Sequence, residues 1–314
     1  MNGPIATLLA TLLLTSLSAC GGLLGPGFQG EPEGLGGPEH ADRIQVLDGA
    51  VYWLDEGEGT LGRTLGDGTS EELVTDEAYP ADLAIGGGTL FWGTNYRGYV
   101  ASMPLDGGEI TILAEDYDGA TALAVDDSHV YWQSNSTGAV HRVPRSGGAA
   151  ETLFESDESV FTTSVALDSG SVYWIEYSTP GWTGKIWSAD HDGGNARLLA
   201  EQQDSPEHLA LSETHVYWSG AGSVHFVAKS GGTVASIDPG GCYPEGIATD
   251  PDNVYWTNAS SLPDCGEYSF TVRYAPLVGG ETTTIAEAED SPTSIAVDDD
   301  FVYWSAGGIF RLAR

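Results

Sequence analysis

The chain has 314 residues, with 46 Asp and Glu against 11 Lys and Arg, which gives a formal net charge of −35. That charge argues against nucleic acid or anionic lipid head groups as partners, since both would be repelled; it suits attraction of cations or docking of basic partners. The 43 glycines and 15 prolines point to a fold with many tight turns.

Residues 1–19 carry no charged side chain and include the apolar run from Ile5 to Leu17. At about 13 residues this run is too short to span a bilayer as a helix, but it suits the core of a signal peptide. It ends in Leu17-Ser18-Ala19-Cys20, which resembles the bacterial lipoprotein lipobox. The resemblance implies cleavage before Cys20, lipidation of its thiol and anchoring to a membrane through it. Gly21 stands where an inner-membrane retention signal would place Asp, so the resemblance implies an outer-membrane address in a Gram-negative cell. The leading segment Met1-Asn2-Gly3-Pro4 departs from the pattern, because it has no Lys or Arg. Residues 20–42 are rich in Gly and Pro with few large apolar side chains, and read as a flexible tether.

From Arg43 to the end, residues 43–314, a tripeptide recurs seven times: Val51-Tyr52-Trp53, Leu90-Phe91-Trp92, Val130-Tyr131-Trp132, Val172-Tyr173-Trp174, Val216-Tyr217-Trp218, Val254-Tyr255-Trp256 and Val302-Tyr303-Trp304. Successive tryptophans are 39, 40, 42, 44, 38 and 48 residues apart. A period of this size carried by β-formers is the signature of a propeller blade. Each unit parses into four strands. Strand a is typified by Leu123-Ala124-Val125-Asp126, and strand b is the tripeptide with its neighbours. Strand c ends in a Gly-containing hairpin such as Ser146-Gly147-Gly148, and strand d is short, as in Thr111-Ile112-Leu113-Ala114. Side chains alternate across strand b, so the Tyr and Trp rings point to opposite faces of a blade and are expected to pack between blades.

Val254-Tyr255-Trp256-Thr257-Asn258 lies one residue from the Tyr-Trp-Thr-Asp motif, and the repeat as a whole resembles low-density-lipoprotein-receptor-type propellers and their NHL-repeat relatives. The resemblance implies an all-β propeller and little about function, because such folds host unrelated activities. Receptor domains of this class have six blades. The seven tripeptides here lead us to expect seven four-stranded blades, with six as the fallback. The last repeat ends at its strand c, so residues before Arg43 supply its outer strand or the blade stays three-stranded.

Loops b–c and d–a emerge on one rim of a propeller. Cys242 and Cys265 fall in such loops of the sixth repeat, and in an exported protein they are expected to form a disulfide, with free thiols or a metal site as the alternatives. The same rim carries the long excursions 257–270 and Glu176 to Gly184, the latter with Tyr177 and Trp182. His208, with Glu207 and Glu245, is expected at the mouth of the central channel. His129 and His215 share one turn position and His141 and His225 one strand-c position, which marks them as structural. Calcium is conceivable at Asp116–Gly119 or Asp190–Gly193, but neither completes an EF-hand loop, and the latter fits a c–d hairpin. Nucleophile-elbow, zinc and phosphate-loop motifs are lacking. These readings leave two principal functions open. One is a non-enzymatic module at the cell envelope that binds a protein or glycan on this rim. The other is a lactonase- or hydrolase-like enzyme with a divalent cation at the channel mouth. A spacer or assembly role is the third.

Overall fold

A strand that carries bulky apolar groups on both faces must be covered on both faces, and stacking blades around a ring does this. In the computed structural model every tripeptide is the second strand of its sheet. The structure describes residues 27–96, 98–115, 117, 119–156, 160–161, 164–178, 181–237, 243–258, 270–288 and 290–314. The chain opens with β1 (Gln29–Gly36). Blade one follows as β2 (Arg43–Leu47), β3 (Ala50–Asp55), β4 (Thr60–Thr64) and β5 (Ser70–Val74). Blade two is β6 (Pro80–Gly86), β7 (Thr89–Thr94), β8 (Val100–Pro104) and β9 (Thr111–Ala114). Blade three is β10 (Ala122–Val125), β11 (His129–Gln133), β12 (Val140–Pro144) and β13 (Glu151–Phe154). Blade four holds β14 (Val160–Phe161), β15 (Val165–Leu167), β16 (Ser171–Ser178), β17 (Thr183–Asp190) and β18 (Arg197–Asp204). Blade five is β19 (Leu209–Leu211), β20 (His215–Gly220), β21 (Ser223–Ala228) and β22 (Ala235–Ile237). Blade six is β23 (Pro244–Thr249), β24 (Asn253–Asn258), β25 (Phe270–Pro276) and β26 (Thr283–Ala288). Blade seven is β27 (Ser294–Val297), β28 (Phe301–Ser305) and β29 (Ile309–Ala313), with β1 as its outermost strand.

All strand pairs are antiparallel, and the expected seven-bladed propeller is the observed one. The core lies between the blades. Tyr131 of blade three shares a cluster with Trp174 of blade four, Tyr173 with Trp218, Tyr217 with Trp256, Tyr255 with Trp304, and Tyr303 with Trp53. All seven tripeptide tryptophans are buried. Inter-blade packing is therefore what the repeated rings do. The c–d turns use their glycines as expected: Gly107 has φ 85° and Gly147 φ 79°, a region that side-chain-bearing residues enter at a cost.

Closure corrects one expectation. Part of the stretch read as a tether is β1, which pairs with β29 through Glu33↔Arg311 and Gly36↔Ile309, so the propeller begins near Gln29. An edge strand needs few apolar anchors. Leu35 supplies one, 4% exposed and packed with Ile309, Ile44 and Trp53, while Glu33 accepts hydrogen bonds from Arg311 at 2.8 and 2.9 Å. Pro32 is tolerated because an outermost strand has one unpaired side. Among the described residues, no helix is long and apolar enough to cross a membrane.

Candidate functional site

The innermost strands of the seven blades enclose a central cavity of about 320 Å³. Its mouth is set by the residue just before the one that pairs with each tripeptide Trp, namely Arg43, Asp82, Ala122, Ser164, His208, Gly246 and Ser294. Three of these side chains staple their blade to the next. Asp82 Oδ2 accepts from the Leu123 amide at 2.7 Å, Ser164 Oγ from Leu209 at 3.0 Å, and Ser294 Oγ from Ile44 at 3.1 Å. At Gly246 a Cβ would come within 3.0 Å of the backbone of Thr293 to Ile295, so blade seven packs directly against it. His208 has the staple position of blade five but not the staple bond: its Nδ1 is shielded from solvent and has no partner.

The same mouth concentrates charge. Arg43 Nε lies 3.8 Å from Asp82 Oδ1. Burial pushes the Glu245 carboxyl up to about 7; the negative charge of Glu207 adds to this and Arg43 opposes it. Burial also raises Glu207, again opposed by Arg43. Asp82 is raised by burial, against the pull of Arg43 and of the Leu123 and Leu83 amides. His208 is pushed down to about 3, first by burial and then by the charge of Arg43, so its imidazole is neutral. His208, Arg43 and Asp82 line the cavity, whereas Glu207 and Glu245 do not; Arg43 acts by charge on both glutamates and on His208, and Glu207 acts on Glu245. Among the described residues, no group of three His, Cys, Asp or Glu side chains is placed to hold a metal ion. Asp116 and Asp118 lie outside the described residues, and Asp190–Gly193 forms the c–d hairpin turn, with the Gly193 amide bonded to the Asp190 carbonyl at 2.9 Å.

Around the mouth, the rim built by the b–c and d–a loops carries every exposed large aromatic ring among the described residues. Tyr79 is 54% exposed, Tyr96 79%, Trp182 63% and Tyr243 41%. Exposed large aliphatic residues, such as Leu47 and Val278, sit on the opposite rim or on outer strands. Tyr79 and Tyr96 meet at 4.7 Å between ring centroids, and Tyr177 and Trp182 at 6.0 Å. Tyr79 (φ 57°) and Trp182 (φ 56°) hold left-handed backbone conformations, costly for bulky side chains and found where the chain displays functional groups. Of the excursion from Glu176 to Gly184, Glu176 to Ser178 continue β16 and Thr183 and Gly184 open β17, with Trp182 immediately before β17. Sequence reasoning missed Tyr79, Tyr96 and Tyr243. All three are tyrosines outside the repeated tripeptide and within b–c or d–a loops, which is the signal that would have found them.

Four further histidines, His129, His215, His141 and His225, make local contacts at their matched repeat positions. His129 and His215 bond the preceding hydroxyl at 2.8 Å, while His141 and His225 stack on Trp132 and Trp218. Cys20, Cys242 and Cys265 lie outside the described residues, as do residues 259–269 of the blade-six excursion.

No protein-family model matches the chain, and no curated protein does. Solved structures do resemble it. A virginiamycin B lyase from Staphylococcus aureus superposes with a TM-score of 0.72 at 12% identity, covering 90% of this chain and 99% of the other. BamB from Moraxella catarrhalis gives 0.58 at 12% identity, covering 90% and 98%. A chain of a nidogen/laminin complex gives 0.56 at 18% identity, covering 70% and 87%. The likeness is one of fold. These β-propellers share the ring of blades with this chain, and their identity to it is too low to carry a ligand or a reaction across.

Proposed function

We propose that this β-propeller is an exported, lipid-anchored, non-enzymatic binding or scaffolding module of the cell envelope that engages a protein or glycan through its aromatic rim. The observation that carries the reading is the segregation of Tyr79, Tyr96, Trp182 and Tyr243 onto one rim. Exposed Tyr and Trp give large contact area at low entropic cost, which is why they concentrate at recognition surfaces. A fold neighbour from a complex of nidogen with laminin supports a protein ligand. The lipobox-like Leu17-Ser18-Ala19-Cys20 supports anchoring through Cys20, with the propeller facing the periplasm or the exterior. A Cys242–Cys265 disulfide would brace the blade-six loops on this rim.

The test compares the intact protein with a Tyr79→Ala/Tyr96→Ala/Trp182→Ala variant, using photo-crosslinking on cells and a glycan array. The reading expects defined partners or glycans that the variant loses while still anchored. An identical capture profile for both proteins would sink it.

A second reading, a lactonase- or hydrolase-like enzyme at the channel mouth, is favoured by one observation: Glu245, raised to about 7 beside Arg43 and Glu207, has the properties of a general acid or base. Hydrolysis of a lactone or ester panel that is abolished by Glu245→Gln would support it. Activity indifferent to that change, with and without added divalent cation, would remove it.

A further inference from the structure

We propose that the aromatic rim docks a basic polypeptide segment, whose Lys or Arg side chains lie on the Tyr79–Tyr96 and Tyr177–Trp182 ring pairs and face the carboxylates beside them. The inference rests on the reading of this rim as the binding surface and names the chemistry of its partner. Both ring pairs stand next to exposed acidic side chains. The Glu77 amide donates to the Gly59 carbonyl at 2.9 Å, and the Asn95 amide to the Tyr79 carbonyl at 2.9 Å. These bonds join the b–c loop of blade one to both rim loops of blade two in one continuous platform. Exposed Glu56, Glu58 and Asp76 share that platform with the Tyr79–Tyr96 pair. On blade four the Ser205 amide donates to the Trp182 carbonyl at 3.0 Å and Thr183 pairs with Asp204, which sets the exposed Asp204 next to the Trp182 backbone.

The make-up of the rim selects the partner. In sequence, the d–a segments hold 14 Asp and Glu and the b–c segments 4, against one Arg, Arg97, and no Lys. Among the described residues, the exposed large apolar side chains of these loops are all aromatic; the exposed aliphatic ones, Leu47, Ile110, Ile112, Leu198 and Val278, lie elsewhere. An aromatic face attracts a cation through its quadrupole, and a carboxylate beside the ring pairs with the same cation. Guanidinium and ammonium groups on long flexible stems can meet both at once. An aliphatic partner finds no exposed aliphatic surface here to cover. A second copy of this chain is repelled, since each copy carries −35. A neutral glycan would stack on the rings yet draw nothing from the negative field, which steers and holds a basic segment.

The experiment is fluorescence anisotropy of labelled peptides titrated with the full chain. The probes alternate Ser with Arg, with Lys, or with citrulline, which keeps the shape of Arg without its charge; unlabelled chito-oligosaccharides are the glycan probe, added as competitors and titrated separately. Saturable binding of the Arg or Lys peptide is expected, weakening as salt is added, with the citrulline peptide about tenfold weaker or more. Tyr79→Ala/Tyr96→Ala/Trp182→Ala protein keeps the charge of −35 and should bind about tenfold more weakly, the summed loss of exposed cation–π contacts. Glu58→Gln/Asp76→Asn should also weaken binding. Asp127→Asn/Asp299→Asn removes the same charge from exposed turns of the opposite rim and should leave binding unchanged. All variants are checked for folding by circular dichroism. The proposal is overturned if neither basic peptide saturates, or if the citrulline peptide binds as well. It is equally overturned if the folded ring variant binds like the wild type, or if the two charge variants weaken alike, because net charge alone would then hold the peptide. Chito-oligosaccharide binding without basic-peptide binding would give the rim to a glycan and sink the basic segment. Cellular crosslinks that the ring variant loses, with no basic-peptide binding, would sink the basic segment and leave the rim standing as a binding surface.

Discussion

The Tyr255 hydroxyl donates to Asp250 Oδ2 at 2.6 Å, five residues earlier in the chain. Tyr131 and Asp126, Tyr173 and Asp168, and Tyr303 and Asp298 make the same bond, each at 2.9 Å. The other oxygen of each Asp closes the turn between strands a and b, as Asp250 Oδ1 does by accepting the Asp252 and Asn253 amides at 2.7 Å. One carboxylate thus fixes a turn and locks a buried ring. Blade two lacks both halves of the pair: Gly86 stands at the Asp position, Phe91 at the Tyr position, and Arg145 covers the ring at 5.1 Å. Cations from the following blade complete the clasps, Lys229 at 2.7 Å from Asp168 and Arg314 on Asp250.

These clasps predict acid lability. Burial alone would raise Asp126, but the His129 and Ser128 amides and the Ser128 and Tyr131 hydroxyls hold it at about 2. Asp168 is also held at about 2, with Lys229 foremost among the groups that overcome its burial. A carboxylate depressed in the folded state contributes stability that is complete above its unfolded value of about 3.9 and is lost as pH falls toward 2. Melting temperatures should therefore drop steeply between about pH 4 and 2. Asp126→Asn/Asp168→Asn protein should start lower at pH 6 and lose less over that window. Parallel curves for the two proteins would refute this assignment.

Gly62 lies across from Trp53 in the β3–β4 pairing, and a Cβ there would come within 2.3 Å of the indole and 2.4 Å of the Glu71 carbonyl. The other blades put Ala101, His141, Trp187, His225, Arg273 or Phe310 opposite their Trp, so the demand for glycine is local to blade one. Gly62→Ala should destabilise by about 2–3 kcal/mol through overpacking, measured by urea unfolding. A change within about 0.5 kcal/mol would show that the indole moves aside freely.

Ring closure rests on β1. Leu35→Ala should cost about 2–3 kcal/mol, the low end of the range for emptying a buried leucine site, because it lies on an outermost strand. Truncation through residue 37 should lower the melting temperature further and promote association through the bared edge of β29. Truncation through residue 26 should leave the melting temperature of the propeller unchanged, since β1 begins at Gln29. Equal melting of the two truncated proteins would mean that β1 adds nothing to closure.

The blades were legible because their signal is redundant: seven tripeptides at a near-constant period leave few other folds. The closing strand was legible only as one of two alternatives, residues before Arg43 or a three-stranded blade, and the first is the observed one; Gln29–Gly36 itself has one buried leucine and three glycines, and its order comes from backbone bonds to β29 that no local pattern records. At the channel, strand position alone placed His208, which lines the cavity, whereas Glu207 and Glu245 do not line it. The part played by Arg43 was hidden because it works through charge reaching across the ring to blades two, five and six. Trp182 stood out as a tryptophan off the repeat, whereas Tyr79 and Tyr96 were masked by the abundance of tyrosine elsewhere.

Trp182 offers an optical check of the rim. Seven of the nine tryptophans are buried in the tripeptides and Trp187 is half-buried, so the 63% exposed Trp182 should provide most of the iodide-quenchable emission. Trp182→Ala should remove that fraction and blue-shift the spectrum, with a stability change within about 0.5 kcal/mol, as for surface sites generally. Quenching that survives the substitution would place Trp182 against the protein and contradict its exposure.

Glu245 gives the channel its own pH signature, opposite in sense to that of the clasps. Burial and Glu207 raise its folded-state value from 4.5 to about 7, so the folded protein binds a proton that the unfolded chain gives up between these values. Stability should fall as pH rises through that window and level off above it. Glu245→Gln removes the ionisation, so the variant should be the more stable protein at pH 8 and match the wild type below the unfolded value of 4.5. Glu207→Gln, by removing the neighbouring negative charge, should bring the Glu245 midpoint down, and Arg43→Gln should send it up, because Arg43 opposes the shift. Carboxyl-detected NMR titration of the three proteins reads these midpoints directly. A Glu245 midpoint near 4.5 in the wild type, indifferent to both substitutions, would place its carboxylate in open solvent and away from the channel mouth.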